Sequence, residues 1–398
     1  DILPMAFGFT ADQESFAQTT RRFAADVLAP GYKAREKSAN VPLALRREMG
    51  ALGLVGVDLS ERHGGMGLGS ATAGLIIEQI AYGDFNVAYV QLLASLMGSI
   101  VERHGSPELA AKWIPRVVAG EAMIGLGLTE PRGGSDAANL MLRAERRGER
   151  YVLTGEKTSA SCATQCDAFV VFARTGAADA GARGVSAFFV EADAKGLTRT
   201  NFDDVGHKAV GRGSLFFDGV EVDAGLRLGD ENRGFSQVMQ GFDFSRALIG
   251  LQCVAAAQAS VDEAWAYTTE REAFGAPLAN YQGVSFPLAE ADTMLAATRS
   301  LCYLTLGLRD AGKPHTAEAA MCKWLGPKTA FDVIHQCLLT FGHYGYTMDT
   351  PHQQRLRDVM GLEIGDGTAQ IMKLIIARER VGRAAMQYAK PGIRQDSQ

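Results

Sequence analysis

Three stretches of this chain carry residue types and spacings suited to chemistry. The first is Glu363-Ile364-Gly365-Asp366-Gly367-Thr368-Ala369-Gln370, where an aspartate stands between two glycines just ahead of apolar residues at 371, 374, 375 and 376. That spacing predicts a helix packed on one face, with Asp366 at or just before its start. A carboxylate on small-residue backbone can be aimed into a cleft and serve as a base. The same residues also fit a plain Asp-Gly turn with Asp366 or Thr368 as helix N-cap. The second stretch, Leu126-Gly127-Leu128-Thr129-Glu130-Pro131-Arg132-Gly133-Gly134-Ser135-Asp136, begins as a strand and ends in a glycine-rich turn. Its glycines let a flat or phosphorylated ligand approach the main chain, although a simple hairpin turn would use the same residues. The third is Phe242-Asp243-Phe244-Ser245-Arg246, where a helix would put Asp243 and Arg246 on one face, able to bind a ligand or simply to pair with each other.

Residues 1–121 read as helical, with a capping box at Thr10 and Gln13 and further helices near 42–52, 70–82, 85–103 and 107–118. The period then changes. Tyr151–Leu153, Ala168–Ala173, Val185–Val190, Leu197–Thr200 and Leu215–Val222 are short, rich in Val, Phe and Tyr, and predict an antiparallel sheet or small barrel over 122–235. From 236 to 398 the pattern is helical again, with long segments near 236–271, 283–311, 316–342 and 352–360 and a last helix from 368. Helix, sheet and helix in blocks predict an α+β fold with a central β-domain. Without strand–helix alternation, and with Gly125-x-Gly127 falling short of GxGxxG, a Rossmann fold is disfavoured.

A hydrophobic fraction of 47% with 21% charged residues describes a globular chain. The net charge of −5 and pI near 5.9 disfavour a broad nucleic-acid surface. Six cysteines without a CxxC pair predict reduced thiols in the cytoplasm and no metal site. The start, Asp1-Ile2-Leu3-Pro4, lacks the basic and apolar regions of a signal peptide, and no apolar run nears the ~20 residues of a membrane helix.

The 126–136 stretch resembles the first signature of the acyl-CoA dehydrogenase family: an apolar residue, Thr or Ser, Glu, two residues, a small residue, Gly, Ser or Thr, then Asp. The resemblance extends over nearly the whole chain, through Gly155-Glu156-Lys157, Phe216–Val222, Arg271-Glu272-Ala273-Phe274-Gly275, Gln282 and Arg355-Leu356-Arg357-Asp358. It implies FAD as cofactor, a C-terminal four-helix bundle, a homotetramer, an acyl-CoA substrate and an electron-transfer flavoprotein as partner. By the same resemblance Leu126, Leu128 and Thr129 would lie against the flavin, and Ser135 would contact the cofactor diphosphate or the pantetheine arm. Arg271, Phe274 and Gln282 would hold the adenylate side, partly across a subunit boundary, and Thr368 and Gln370 would add cofactor contacts. Asp243 and Arg246 would face CoA, with Ser245 beside them at the position where some members place the base. Asp366 would match the catalytic carboxylate of the Tyr-Glu-Gly-Thr segment, abstracting the α-proton while its own N–H polarises the thioester oxygen.

Several positions depart from that pattern. Asp366 is one methylene shorter than Glu, Gly365 stands where Tyr is usual, and Ser159 and Ser161 replace the Trp and Thr near the flavin. These changes make room at the reacting carbons and next to Gly367, room that a ring or branch at Cα would use. Cyclohexanecarboxyl-CoA dehydrogenases, family members with an Asp base, are similar in this respect. Leu339, Gly342 and His343 depart from the second signature. A branched or short-chain acyl-CoA dehydrogenase, a nitroalkane-oxidase-like oxidase, a DNA-associated flavoprotein or an acyl-carrier-protein thioester substrate are the competing expectations.

Overall fold

The computed structural model describes residues 7–386, so the Asp1–Pro4 start lies outside the described residues. The N-terminal block comprises α1 (Ala11–Phe23), α2 (Ala29–Ser38), α3 (Leu43–Ala51), α4 (Ser70–Gly83), α5 (Ala88–Leu93), α6 (Ser99–His104) and α7 (Pro107–Val118). Thr10 and Gln13 form the expected capping box, each side chain bonded to the other's backbone N–H. Single π-turns at Ala24–Leu28 and Ala94–Gly98 run α1 into α2 and α5 into α6.

The middle block holds β1 (Ile124–Gly127), β2 (Arg143–Arg147), β3 (Arg150–Ala160), β4 (Ala168–Arg174), β5 (Val185–Glu191), β6 (Leu197–Arg199), β7 (Gly213–Asp223) and β8 (Arg227–Leu228). The sheet order is β6-β7-β3-β2-β4-β5-β8, with β1 paired to β4. The antiparallel expectation needs one correction. β1 runs parallel to β4, Ile124 opposite Ala168 through Gly127 opposite Val171, and β2 meets β4 in a single parallel pair. β2 is absent from the sequence reading because four of its five residues are charged and only Ala144 is buried. β4 and β5 are apolar at almost every position because both of their faces are covered.

After a π-turn at Gly234–Val238 and a 3₁₀ turn at Met239–Gly241, the C-terminal block starts with α8 (Phe242–Glu270). A short hairpin, β9 (Glu272–Ala273) with β10 (Ala276–Pro277), leads to α9 (Gln282–Asp310), α10 (Thr316–Thr340), α11 (His352–Gly361) and α12 (Ala369–Val381). α8, α9 and α10 pack pairwise, α12 packs on α10, and α4 of the N-terminal block lies against α8 and α9. α8 is apolar around most of its circumference because helices enclose it. It crosses α10 where two glycines meet: a Cβ on Gly326 would stand 2.8 Å from Gly250 Cα. That close crossing brings the interior face of α10, including Lys323, towards the loop between α11 and α12. Among the described residues no helix is long and apolar enough to cross a membrane.

Candidate active site

Asp366 sits in the loop joining α11 to α12, and the backbone decides between the two roles open to it. Thr368 is the N-cap, its Oγ1 accepting the Ile371 N–H at 3.2 Å. Asp366 is not a cap. It adopts φ +57°, a left-handed conformation that costs a non-glycine residue energy, and its side chain is exposed. Its amide has no acceptor among the described residues, whereas Gly365 N–H donates to Gly361 O at 2.9 Å and Ala369 N–H to Glu363 O at 3.2 Å. A free N–H beside an exposed carboxylate is a donor and a base on one residue. A Cβ on Gly365 would meet only Gly361 O at 3.4 Å and Leu362 Cδ2 at 3.8 Å, so the space expected there exists. Gly367, at φ +95°, has none on its own side: a Cβ would lie 2.5 Å from Met372 Cε. Gln370 is exposed in the first turn of α12.

Four groups from three blocks feel the Asp366 charge: Tyr89, His207, Arg246 and Lys323. The sequence reading named only Arg246. Burial, then Asp366, pushes the Tyr89 hydroxyl well above its ordinary value. Burial drives His207 down to about 4, so its imidazole is neutral at physiological pH. The His207 N–H donates to Asp358 Oδ1 at 2.7 Å, its Nε2 meets the Asp358 carbonyl, and its Nδ1 lies 3.4 Å from Tyr89 Oη. Phe85, Tyr89 and His207 pack ring against ring, an uncharged wall near the carboxylate. Lys323, fully buried in α10, donates to the carbonyls of Leu362 and Gly367. A lysine among the residues of a helix gives no sequence signal of such a role.

Along the 126–136 stretch, at and just beyond β1, Leu126, Leu128 and Thr129 are half-buried while Gly125 and Gly127 are buried; Leu126 and Leu128 fall two apart, the spacing that a ligand-facing strand needs. Its end is locked by the buried pair Glu130–Lys157, 2.9 Å apart. Glu130 accepts the Met141 and Leu142 N–H groups at 2.7 and 2.8 Å, and Lys157 also donates to Leu128 O at 2.9 Å. Ser135 is exposed in the turn. Register shifts between Lys157 and Ala160 put Ser159 at φ +59°, so the bulge re-aims its side chain, whose Oγ accepts from Arg212 at 3.0 Å. Arg212 is held in turn by both oxygens of Asp204. Ser161 is half-buried beyond the strand.

At the start of α8 the Asp243–Arg246 ion pair forms, at 2.9 Å, and the second Asp243 oxygen accepts from Thr316 at 2.7 Å. Asp243 is thus engaged within the chain, while Arg246 Nε is buried without a partner among the described residues. Ser245 is turned inward, its hydroxyl donating to Phe242 O at 2.9 Å. Arg271, Phe274 and Gln282 gather elsewhere, around the β9–β10 hairpin, where Phe274 is 99% exposed at φ +52°. Roughly 36 Å of helix separates Arg246 from the end of α8 at Glu270. Leu339 and His343 are exposed, with the His343 ring tilted against Tyr344.

Residues 10–121, 125–220 and 232–380 match the N-terminal, middle and C-terminal domains of acyl-CoA dehydrogenase. The chain belongs to the acyl-CoA dehydrogenase family. Benzylmalonyl-CoA dehydrogenase of Aromatoleum aromaticum is 32% identical over 94% of this chain and 99% of its own. A chain solved in work on the electron transferring flavoprotein of Acidaminococcus fermentans is 30% identical with a TM-score of 0.91, covering 94% of this chain and 99% of that one. A glutaryl-CoA dehydrogenase from Mycobacterium smegmatis, solved with FADH2, is 27% identical with a TM-score of 0.89, over 95% and 97% of the two chains. The protein is therefore an acyl-CoA dehydrogenase enzyme of α+β fold, with the helical, sheet and helical blocks of that family.

Proposed function

We propose that the enzyme holds FAD and desaturates the Cα–Cβ bond of an alicyclic acyl-CoA, such as cyclohexanecarboxyl-CoA, giving cyclohex-1-ene-1-carboxyl-CoA. The observation that carries this reading is the Asp366 loop: an exposed carboxylate, an unpaired N–H on the same residue, and open space at Gly365. The Asp366 N–H donates to the thioester oxygen, which lowers the cost of the enolate that forms as the Cα–H bond breaks. The Asp366 carboxylate takes that proton. Bound flavin supplies the acceptor for the hydride leaving Cβ with its electron pair, and the α,β double bond forms between the two carbons.

The chain's residues suit that cofactor. Half-buried Leu126, Leu128 and Thr129 would pack against the flavin, and Ser135, Ser159, Ser161, Thr368 and Gln370 would add polar contacts. Arg246, with Nε buried and unpaired among the described residues, is suited to an anionic or carbonyl partner on the acyl-CoA, and Asp243 orients it. Ser245 lines the same helix, and Gly365 and Gly367 keep bulk away from the acyl group. The helix length between Arg246 and the Arg271, Phe274 and Gln282 region favours adenylate contacts supplied by a second copy, and the homotetramer is the assembly that the family resemblance implies. Electron-transfer flavoprotein is the proposed electron acceptor and the cytoplasm the proposed compartment, consistent with six free, buried cysteines. The domain division we propose is 1–121, 122–235 and 236–398.

The test is anaerobic flavin bleaching with cyclohexanecarboxyl-CoA, isobutyryl-CoA, butyryl-CoA and octanoyl-CoA. Wild-type protein should be reduced fastest by the ring substrate, and Asp366→Asn should keep its flavin yet resist bleaching by all four. Near-normal reduction of Asp366→Asn would refute the base assignment; a preference for octanoyl-CoA would refute the ring.

A further inference from the structure

The Asp366 loop is held by few bonds of its own. Between Leu362 and Thr368 the backbone passes through two consecutive positive φ values, at Asp366 and Gly367. The amides of Asp366 and Gly367 reach no acceptor among the described residues. Beyond its backbone bonds to the flanking helices, one side chain ties the loop to α10. Lys323 Nζ lies 2.5 Å from Leu362 O and 2.8 Å from Gly367 O, two carbonyls that bracket the segment presenting the base.

An ammonium this deeply buried is costly unless its surroundings compensate. Lys323 has no carboxylate in salt-bridge contact among the described residues; its hydrogen bonds go to the two carbonyls. The charged and titratable groups facing it are Asp366 and Glu363 from the loop and Cys253 and Arg246 from α8. Burial pulls Lys323 down to about 8, and Asp366 is the largest influence in the opposite direction. Asp366 thus favours the charged form of Lys323.

We infer that Lys323 is a positioning residue for the α-proton abstraction: its ammonium clasps the loop at Leu362 and Gly367 and so aims Asp366. This rests on Asp366 being the base. The clasp has two separable parts. Donated hydrogen bonds fix the loop, and the buried positive charge sets the field beside it. A displacement of about 1 Å in a reacting group costs on the order of 10²-fold in rate.

The experiment uses the flavin-loaded enzyme with cyclohexanecarboxyl-CoA and butyryl-CoA, and the variants Lys323→Met, Lys323→Gln and Asp366→Asn. Lys323→Met should lower the rate of flavin reduction at saturating substrate by roughly 10²-fold. Its flavin content and acyl-CoA Kd should stay close to wild type. The acid limb of its pH–rate profile should move up, because the loop has lost the Lys323 charge. Lys323→Gln keeps donors without charge, so it should recover much of the rate but retain the shifted limb. In wild type the saturated rate should fall above about pH 8 to 9 as the ammonium is lost. A Lys323→Met enzyme with wild-type rate and limb overturns the inference while leaving Asp366 as base; an active Asp366→Asn enzyme instead overturns the base. Loss of stability with an unmoved limb reduces Lys323 to a structural role and also overturns it. If neither Lys323 variant folds, a wild-type rate that stays level to about pH 9.5 overturns it as well.

Discussion

Filling the space at Gly365 is the sharpest probe of the acyl group. A Cβ there meets nothing closer than Gly361 O at 3.4 Å and Leu362 Cδ2 at 3.8 Å, both ordinary contacts, and the residue is outside the left-handed region. Its amide bond to Gly361 O survives any substitution except proline. Gly365→Ala should therefore gain about 0.4–1 kcal/mol, since alanine has fewer unfolded conformations to lose. Gly365→Tyr should also fold, but its ring would occupy the space that we assign to the substrate's ring. Burying five or six ring carbons at about 0.8 kcal/mol each is worth ~4 kcal/mol. Losing that binding lowers kcat/KM for cyclohexanecarboxyl-CoA by roughly 10³-fold. Butyryl-CoA, a linear chain without bulk at Cα, should stay within about threefold of its wild-type value, since it places little in that volume. The assay is anaerobic flavin reduction with both substrates, alongside thermal unfolding of all three proteins. A Gly365→Tyr enzyme that keeps the ring substrate within tenfold of wild type, or loses both substrates equally, would refute the reasoning.

Two further outcomes follow from buried charge. Glu130→Ala leaves the Lys157 ammonium buried without its carboxylate and the Met141 and Leu142 N–H groups without their acceptor. A cost of about 3–5 kcal/mol is expected in urea unfolding, and the released end of β1 should weaken flavin retention. Asp358, bonded to Tyr32, Asn86 and His207, is raised by burial to about 6. In the unfolded chain it loses its proton near its ordinary value, so between these limits the native state binds more protons than the unfolded one. Its contribution to stability therefore falls as pH rises from about 4 to about 6, by on the order of 1–3 kcal/mol. Asp358→Asn should flatten that part of the stability–pH curve; an equally steep curve would show that other groups set it.

Much of the site was legible because its residues answer local demands. The alternation of leucines with glycines along 125–128 shows in the sequence, since a strand repeats every second residue. The helices and most strands were readable for the same reason. Arg143–Arg147 was not, because a strand whose buried face amounts to Ala144 has no apolar pattern to read. The 243–246 spacing announced a shared helix face, but Thr316, far along the chain, takes the second Asp243 oxygen, and only packing could reveal that.

Asp366 shows where local information ends. Its type and its glycine neighbours marked it as either a cap or an aimed carboxylate, and the two readings use the same residues. Only the tertiary structure separated them, by giving the cap to Thr368 and a left-handed backbone to Asp366. Tyr89, His207 and Lys323 were invisible because each comes from a different block, and nothing in its own neighbourhood distinguishes it from a core residue. The sequence alone determined most of the elements and which motif offers the candidate base. The tertiary structure decided the charge around that base, because an electrostatic environment is set by distance in space and burial, and neither is written in sequence spacing.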